Sequence, residues 1–199
     1  MTVRNSRLRL SFGYLPVAAL CACAVLFEQA FPASLLCIVL HEMGHIAVLL
    51  HFGAQSVEIK LGLMCADIID KEKTLRGEMQ EMIIALAGPA VNLVCIPIFL
   101  IADAYSENVF FKDCAMISAA LCVFNLLPFG ETDGSTALRI IISRKLGADG
   151  ADKVLFIAGI VIIIPAVIAS IFILVHTRRN FTPLLASVCI LYSLLEDKM

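Results

Sequence analysis

Residues 35–52 read LLCIVLHEMGHIAVLLHF, and they decide what kind of molecule this is. Without His41, Glu42 and His45 the stretch would be an ordinary apolar span of about 20 residues, the length a helix needs to cross a bilayer. An ionisable group in the middle of such a span costs about 2.5–3.5 kcal/mol for the charged types and calls for a partner. His41 and His45 are four residues apart, so on a helix both rings fall on one face, one turn apart. Two imidazoles so placed can share one metal ion, and Glu42 is within reach of a water at that ion. The structural alternative is a pair of buried histidines satisfied by hydrogen bonds to neighbouring helices.

The rest of the chain agrees with a bilayer setting. Its 199 residues are 60% hydrophobic, with a mean hydropathy of +0.94, well above the apolar share of a soluble domain. A net charge of −2 argues against nucleic-acid binding. Of the eight cysteines, Cys21, Cys23, Cys37, Cys95, Cys114, Cys122 and Cys189 lie in apolar runs with no CxxC pair. They read as small packing residues, not a disulfide framework.

The expected fold is an all-α polytopic membrane protein with about six spans, near residues 12–31, 33–52, 81–104, 113–130, 154–175 and 181–195. Arg4, Arg7 and Arg9 before the first run look slightly like a signal peptide, but the run is long enough to span and reads as an uncleaved helix. Residues 1–199 form one expected membrane-embedded domain with a core at 33–140. Basic residues assign the sides. The N-terminal tail, segment 53–80, segment 135–153 and the C-terminal tail together carry Arg4, Arg7, Arg9, Lys60, Lys71, Lys73, Arg76, Arg139, Arg144, Lys145, Lys153 and Lys198. The opposite side has only Lys112, Arg178 and Arg179. This predicts a multi-pass cell-membrane protein with both termini cytoplasmic.

Two polar segments have their own patterns. Val57 to Leu61 alternates apolar and polar residues, a strand period; Gly62 could turn the chain and Leu63 to Ile69 return as a second strand. An irregular interfacial loop is the alternative. Segment 135–146 reads as a short helix on the cytoplasmic membrane surface, ended by Gly147.

A metal site needs a third protein ligand. His51 has the outer spacing of HExxHxxGxxH, but Val48 stands where that motif turns on glycine. On a continuous helix His51 lies about 9 Å beyond His45, at about 1.5 Å per residue. The better candidate is in NLLPFGETDG, residues 125–134. Pro128, Gly130 and Gly134 oppose a regular helix. Broken backbone at membrane depth is tolerated only where protein buries it or a wet cavity opens. Such a break lets Asp133 turn inward and complete a His₂Asp set; Glu131, two residues away, is a substitute. On the charge-derived orientation, His45 and Asp133 both lie toward the cytoplasmic leaflet. In the third span, Gly88 and Asn92 share a face. Gly88 permits close helix approach, Pro89 a kink, and Asn92 is an amide deep in the span.

With these three motifs in this order, the chain resembles the site-2 protease family of intramembrane zinc metalloproteases, and looks closest to its short bacterial branch typified by stage IV sporulation protein FB. The resemblance rests on HEMGH, GPAVN and NLLPFGETDG. It implies one zinc ion held by His41, His45 and Asp133, with Glu42 catalytic and with Asn92, Asn125 and Pro128 along the substrate cleft. It implies hydrolysis of a peptide bond within or near a transmembrane segment of a membrane protein, the substrate strand pairing with the strand-like segment after the HExxH helix. A regulatory membrane protein or a homo-oligomer is left open. Thr132 departs from the family's hydrophobic residue before the aspartate, and Ser135 from its second glycine. A silent relative that binds membrane proteins without cutting them is the main rival, and a metal permease the lesser one.

Overall fold

The computed structural model describes residues 7–12, 30–54, 56–61, 66–70, 76–106, 108–130 and 132–177, together with Leu184, Ser187, Val188 and Leu191. The elements in chain order are β1 (Arg7–Phe12), α1 (Phe31–His51), β2 (Ser56–Leu61), β3 (Ala66–Asp70), α2 (Glu78–Ser106), α3 (Val109–Asn125) and α4 (Asp133–Thr177). They fall into two compact units, residues Met1–Asn125 and Leu126–Met199.

In the first unit each helix has a local reason to start where it does. Pro32 sits in the first turn of α1, where its missing N–H costs nothing. Gly77 opens α2: its N–H donates to Gln80 Oε1 at 3.2 Å, and its carbonyl accepts from the Gln80 N–H. Glu78 and Glu81 occupy the first turn, where the helix dipole favours acids, and Arg76 pairs with Glu81 at 3.5 Å. Asn108 Oδ1 accepts the Phe110 N–H at 3.0 Å and caps α3. Helix α1 closes at Gly53, whose φ of 86° lies where glycine is favoured.

Helices α1, α2 and α3 pack on one another. Lipid tails are as apolar as leucine, so helices in a bilayer are held by close contact between small residues. Ala33, Cys37, Cys114 and Ala115 are almost wholly buried here, with Phe99 closing the cluster. Ser118 Oγ donates to Cys37 Sγ at 3.3 Å, and Cys37 Sγ to the Cys114 carbonyl at 3.4 Å. Gly44 lets α1 approach α2: a Cβ there would stand 2.8 Å from the Ala87 carbonyl oxygen. Outward-facing residues such as Leu93, Val94, Ile98 and Ile101 are apolar and exposed, as a lipid-facing surface requires.

The same unit has a three-stranded sheet in the order β1-β2-β3. β1 runs parallel to β2, with Arg7 opposite Ser56; β2 runs antiparallel to β3, with Val57 opposite Asp70. Both edges of β2 are therefore occupied. Among the described residues no strand lies beyond β1 or β3.

The second unit opens on the break at 126–132 and continues as α4. This helix bends at Gly147, where φ is 73° and ψ 172°. The leg before the bend matches the short helix expected at 135–146. Arg139 clips the two legs together, donating Nε to Asp152 Oδ1 at 2.7 Å and Nη2 to Oδ2 at 3.0 Å. Farther along, Ser170 and Ser187 share a buried hydroxyl contact of 2.9 Å.

This is a helical membrane protein. Three described helices, α1, α2 and α4, are long and apolar enough to cross a bilayer. The expected spans at 33–52 and 81–104 coincide with α1 and α2, and that at 154–175 with the second leg of α4. The span expected at 113–130 ends earlier, at Asn125, giving α3 17 residues. Pro128 disfavours helical geometry at Leu127, and Leu127 gives its carbonyl to Thr132 instead. The spans expected at 12–31 and 181–195 lie largely outside the described residues, as do Gly62 and Glu131.

Candidate metal centre

The centre is built where α1 meets α2. His41 and His45 project from one face of α1 and are 6% and 7% exposed. Their rings stand edge to face, centroids 4.9 Å apart, and bring the two Nε2 atoms to 3.2 Å. The opposing face of α2 is formed by residues four apart. Ile84 offers its carbonyl, which accepts from His45 Nδ1 at 2.8 Å. Asn92 offers its amide, with Nδ2 3.0 Å from His41 Nδ1. Between them Gly88 offers nothing, and that is its role. A Cβ there would stand 2.7 Å from both Nε2 and Cε1 of His41 and closer still to His45 Nε2. Pro89, next in the chain, removes the N–H that would bond the Ala85 carbonyl and loosens the helix one residue from Ile84.

This arrangement suits a tetrahedral ion. Two imidazole nitrogens at about 2.0–2.1 Å from one zinc stand about 3.3 Å apart, and the observed separation is 3.2 Å. Each ring's remaining nitrogen is held by a polar group of α2, the outer-shell contact that fixes metal-ligating histidines. Gly88 keeps the space in front of both Nε2 atoms clear.

Glu42 lies half-buried on the turn of α1 that joins the two histidines. His51 is not drawn in: it ends α1, is exposed, and packs its ring on Phe52 at 5.6 Å. Asn125 spends its amide on its own helix, donating Nδ2 to the Leu121 carbonyl at 3.0 Å. Pro128 is partly buried in the break.

Asp133 is the first residue of α4, and Thr132 puts it there. The Thr132 hydroxyl donates to the Leu127 carbonyl at 2.5 Å and accepts the Ser135 N–H at 3.2 Å. It thus caps the helix and ties the break shut in one residue. A Cβ on Gly134 would stand 2.5 Å from the Leu126 carbonyl carbon, so only glycine fits beneath the returning chain. Thr132 looked like a departure from the family pattern. Its place three residues before Ser135, at the head of a helix, was the signal that it caps.

No family model matches the chain. A zinc metalloprotease of Methanocaldococcus jannaschii is 32% identical over 133 residues, covering 62% of this chain and 36% of that protein. A relative from Synechocystis sp. is 32% identical over 120 residues, covering 55% of this chain and 30% of its own length. The chain therefore spans about a third of the length of the curated relatives it matches. Among solved structures, the site-2 protease from Methanocaldococcus jannaschii superposes with a TM-score of 0.70 over 100% of this chain and 93% of that one, at 19% identity. The chain is thus similar in sequence to zinc metalloproteases and in fold to a site-2 protease. Its fold is that of a site-2 protease, and the helices carrying HEMGH and GPAVN bring His41, His45 and Asn92 together.

Proposed function

We propose that this chain is an intramembrane zinc metallo-endopeptidase that hydrolyses a peptide bond within or near a transmembrane segment of a membrane protein. The observation that carries this reading is the pair of Nε2 atoms 3.2 Å apart, buried in an apolar helix with each Nδ1 held from behind. Asp133 is the proposed third ligand. A carboxylate would complete a His₂Asp set, an ordinary ligand type for zinc. The two compact units would then act as one domain, with Asn92, Asn125 and Pro128 along the cleft.

Zinc, when bound, supplies Lewis-acid activation of water and of the scissile carbonyl. The protein's own residues do the rest. Glu42 takes a proton from the attacking water and returns it to the leaving amine. The imidazoles stay oriented by Ile84 and Asn92, and the apolar helices exclude bulk water from all sides but the entry. A helical substrate hides its carbonyls in hydrogen bonds, so it must unwind and find strand-type partners. With both edges of β2 occupied, the outer edge of β1 or β3 is the proposed receiving edge.

Six spans, cytoplasmic termini and a site toward the cytoplasmic leaflet complete the proposal, and the surface helix before Gly147 lies on that side. Pairing of β1 with β2 in one sheet supports the charge count, which assigns the N-terminal tail and segment 53–80 to one side. The affinity to the short bacterial branch rests on the motifs alone.

Zinc content of the detergent-purified protein tests the reading. About one zinc in wild type and Glu42→Gln, with a marked loss in Asp133→Ala, is expected, together with cleavage of a reconstituted membrane substrate by wild type alone. Wild type prepared without chelators and still lacking zinc would refute it. Zinc kept by Asp133→Ala but lost by Glu131→Ala would reassign the third ligand.

A further inference from the structure

We propose that the bend of α4 binds the headgroup of an anionic phospholipid, with Lys145 and Lys153 as its cations and the apolar face of the second leg as the seat of an acyl chain. The site needs only α4 in a bilayer, so it stands apart from the metal centre.

Helix α4 is long and apolar enough to cross a bilayer, and the outward face of its second leg stops abruptly. Val154, Ile157 and Val161 share a face and are 39%, 61% and 65% exposed. Just before Val154 the apolar character gives way: residues 144–153 hold Arg144, Lys145, Asp149, Asp152 and Lys153. A spanning helix meets the headgroup layer where its apolar run turns to charge. The bend at Gly147 therefore lies in that layer. A lipid chain laid along Val161, Ile157 and Val154 brings its phosphate level with the bend.

Each leg sets a lysine one turn from an exposed apolar residue. Lys153 is four residues before Ile157, and Lys145 is four after Ile141, which is 48% exposed. Both lysines are exposed. A lysine so placed lays its methylenes on apolar surface and carries its ammonium to the headgroups.

Charge decides which headgroup fits. Residues 139–153 hold four basic side chains and two acidic ones, so the bend favours a net negative headgroup over a zwitterionic one. Asp152, the acid next to Lys153, is taken up by Arg139, which meets both its oxygens at 2.7 and 3.0 Å. The clip thus neutralises the carboxylate that would repel a phosphate beside Lys153. It also closes the chain into a loop, with Lys145 inside it and Lys153 beside its closing residue. Asp149 is the acid that remains, and Arg144 adds a positive charge next to Lys145.

The full chain in nonionic detergent can be titrated with phosphatidylglycerol and, separately, with phosphatidylcholine of the same acyl chains. Binding is read by native mass spectrometry, with unfolding temperature as a second readout. A basic residue near an anionic surface is worth about fivefold in affinity. Wild type should therefore prefer phosphatidylglycerol at least about fivefold, and the preference should fade in high salt. The double variant Lys145→Gln, Lys153→Gln should lose most of it, and Lys145→Arg, Lys153→Arg should keep it. Lys112→Gln, at an exposed lysine of α3, should leave it unchanged. Glycerol 3-phosphate, which has no acyl chain, should not stabilise the protein at the same concentration. If the double glutamine substitution does not fold, Lys153→Gln alone decides, with a loss of about fivefold expected. Equal affinity of wild type for the two lipids overturns the proposal. So does a preference that survives the glutamine substitutions, or one that Lys112→Gln removes as fully, since net charge and not the bend would then select the lipid. Stabilisation by glycerol 3-phosphate equal to that by the lipid also overturns it, because the site would then be one for free phosphate.

Discussion

The histidine face and the aspartate turn each depend on a glycine, and the two glycines do opposite things. Gly88 leaves space in front of side-chain nitrogens, so what a Cβ would meet there is two imidazole rings. Gly134 leaves space beneath the backbone of Leu126. A ring can swing aside, but a returning backbone cannot. The first region thus depends on the room that Gly88 leaves for two imidazole rings. The second depends on the closure of a loop, held by the Thr132 hydroxyl.

The largest effects should come from residues that only chemistry requires. Glu42→Gln should lower turnover about 10²–10⁴-fold, the usual contribution of a general base, while zinc content and unfolding temperature stay near wild type. Loss of zinc in that variant would make Glu42 a structural residue and move the histidine face into the same class as the turn. Next come the glycines themselves. Gly88→Ala should lose zinc affinity at least about tenfold, as other disturbances of ligand orientation do, with little change in unfolding temperature in the metal-free protein. Gly134→Ala should instead lower the unfolding temperature before any metal measurement is reached. The reverse pattern would erase the contrast.

Smaller effects sharpen the picture of the turn. Thr132→Val removes the cap and should cost about 0.5–2 kcal/mol, with Thr132→Ser recovering most of it; equal losses in both would mean that the methyl group matters, not the hydroxyl. The smallest effect belongs to the clip across Gly147. Hydrogen bonds from Arg139 hold the Asp152 carboxyl below its ordinary value of 3.8. A depressed carboxylate stabilises the fold above its ordinary pKa, and that contribution is lost as pH falls through the lower folded value. Asp152→Asn should therefore cost at most about 1 kcal/mol at neutral pH, less in high salt, for a pair this exposed. The difference from wild type should vanish in strong acid.

Much of this was legible in the sequence. The spacing of His41 and His45, the shared face of Gly88 and Asn92, and the break around Pro128 were read from periodicity and from residues that oppose a helix. The stop at Gly147 was read the same way. What escaped were contacts whose partner is backbone. Ile84 reads as a lipid-facing isoleucine, and only its carbonyl matters. Thr132 reads as a blemish in a motif until its hydroxyl is seen between Leu127 and Ser135. The pairing of β1 with β2 escaped because a strand's partner 49 positions away leaves no local signature. Gly44 occupies one of the two unspecified positions of HExxH, yet it sets how near α2 can come.

The buried sulfurs between α1 and α3 have a practical consequence. Cys37 and Cys114 are wholly inaccessible, and Cys37 is locked between Ser118 and the Cys114 carbonyl. An alkylating reagent can reach Cys37 only when the helix bearing the histidines parts from its neighbour. In a variant keeping that thiol alone, the rate of modification becomes a clock for the opening of the histidine-bearing helix, readable by mass spectrometry in a native membrane without any substrate in hand.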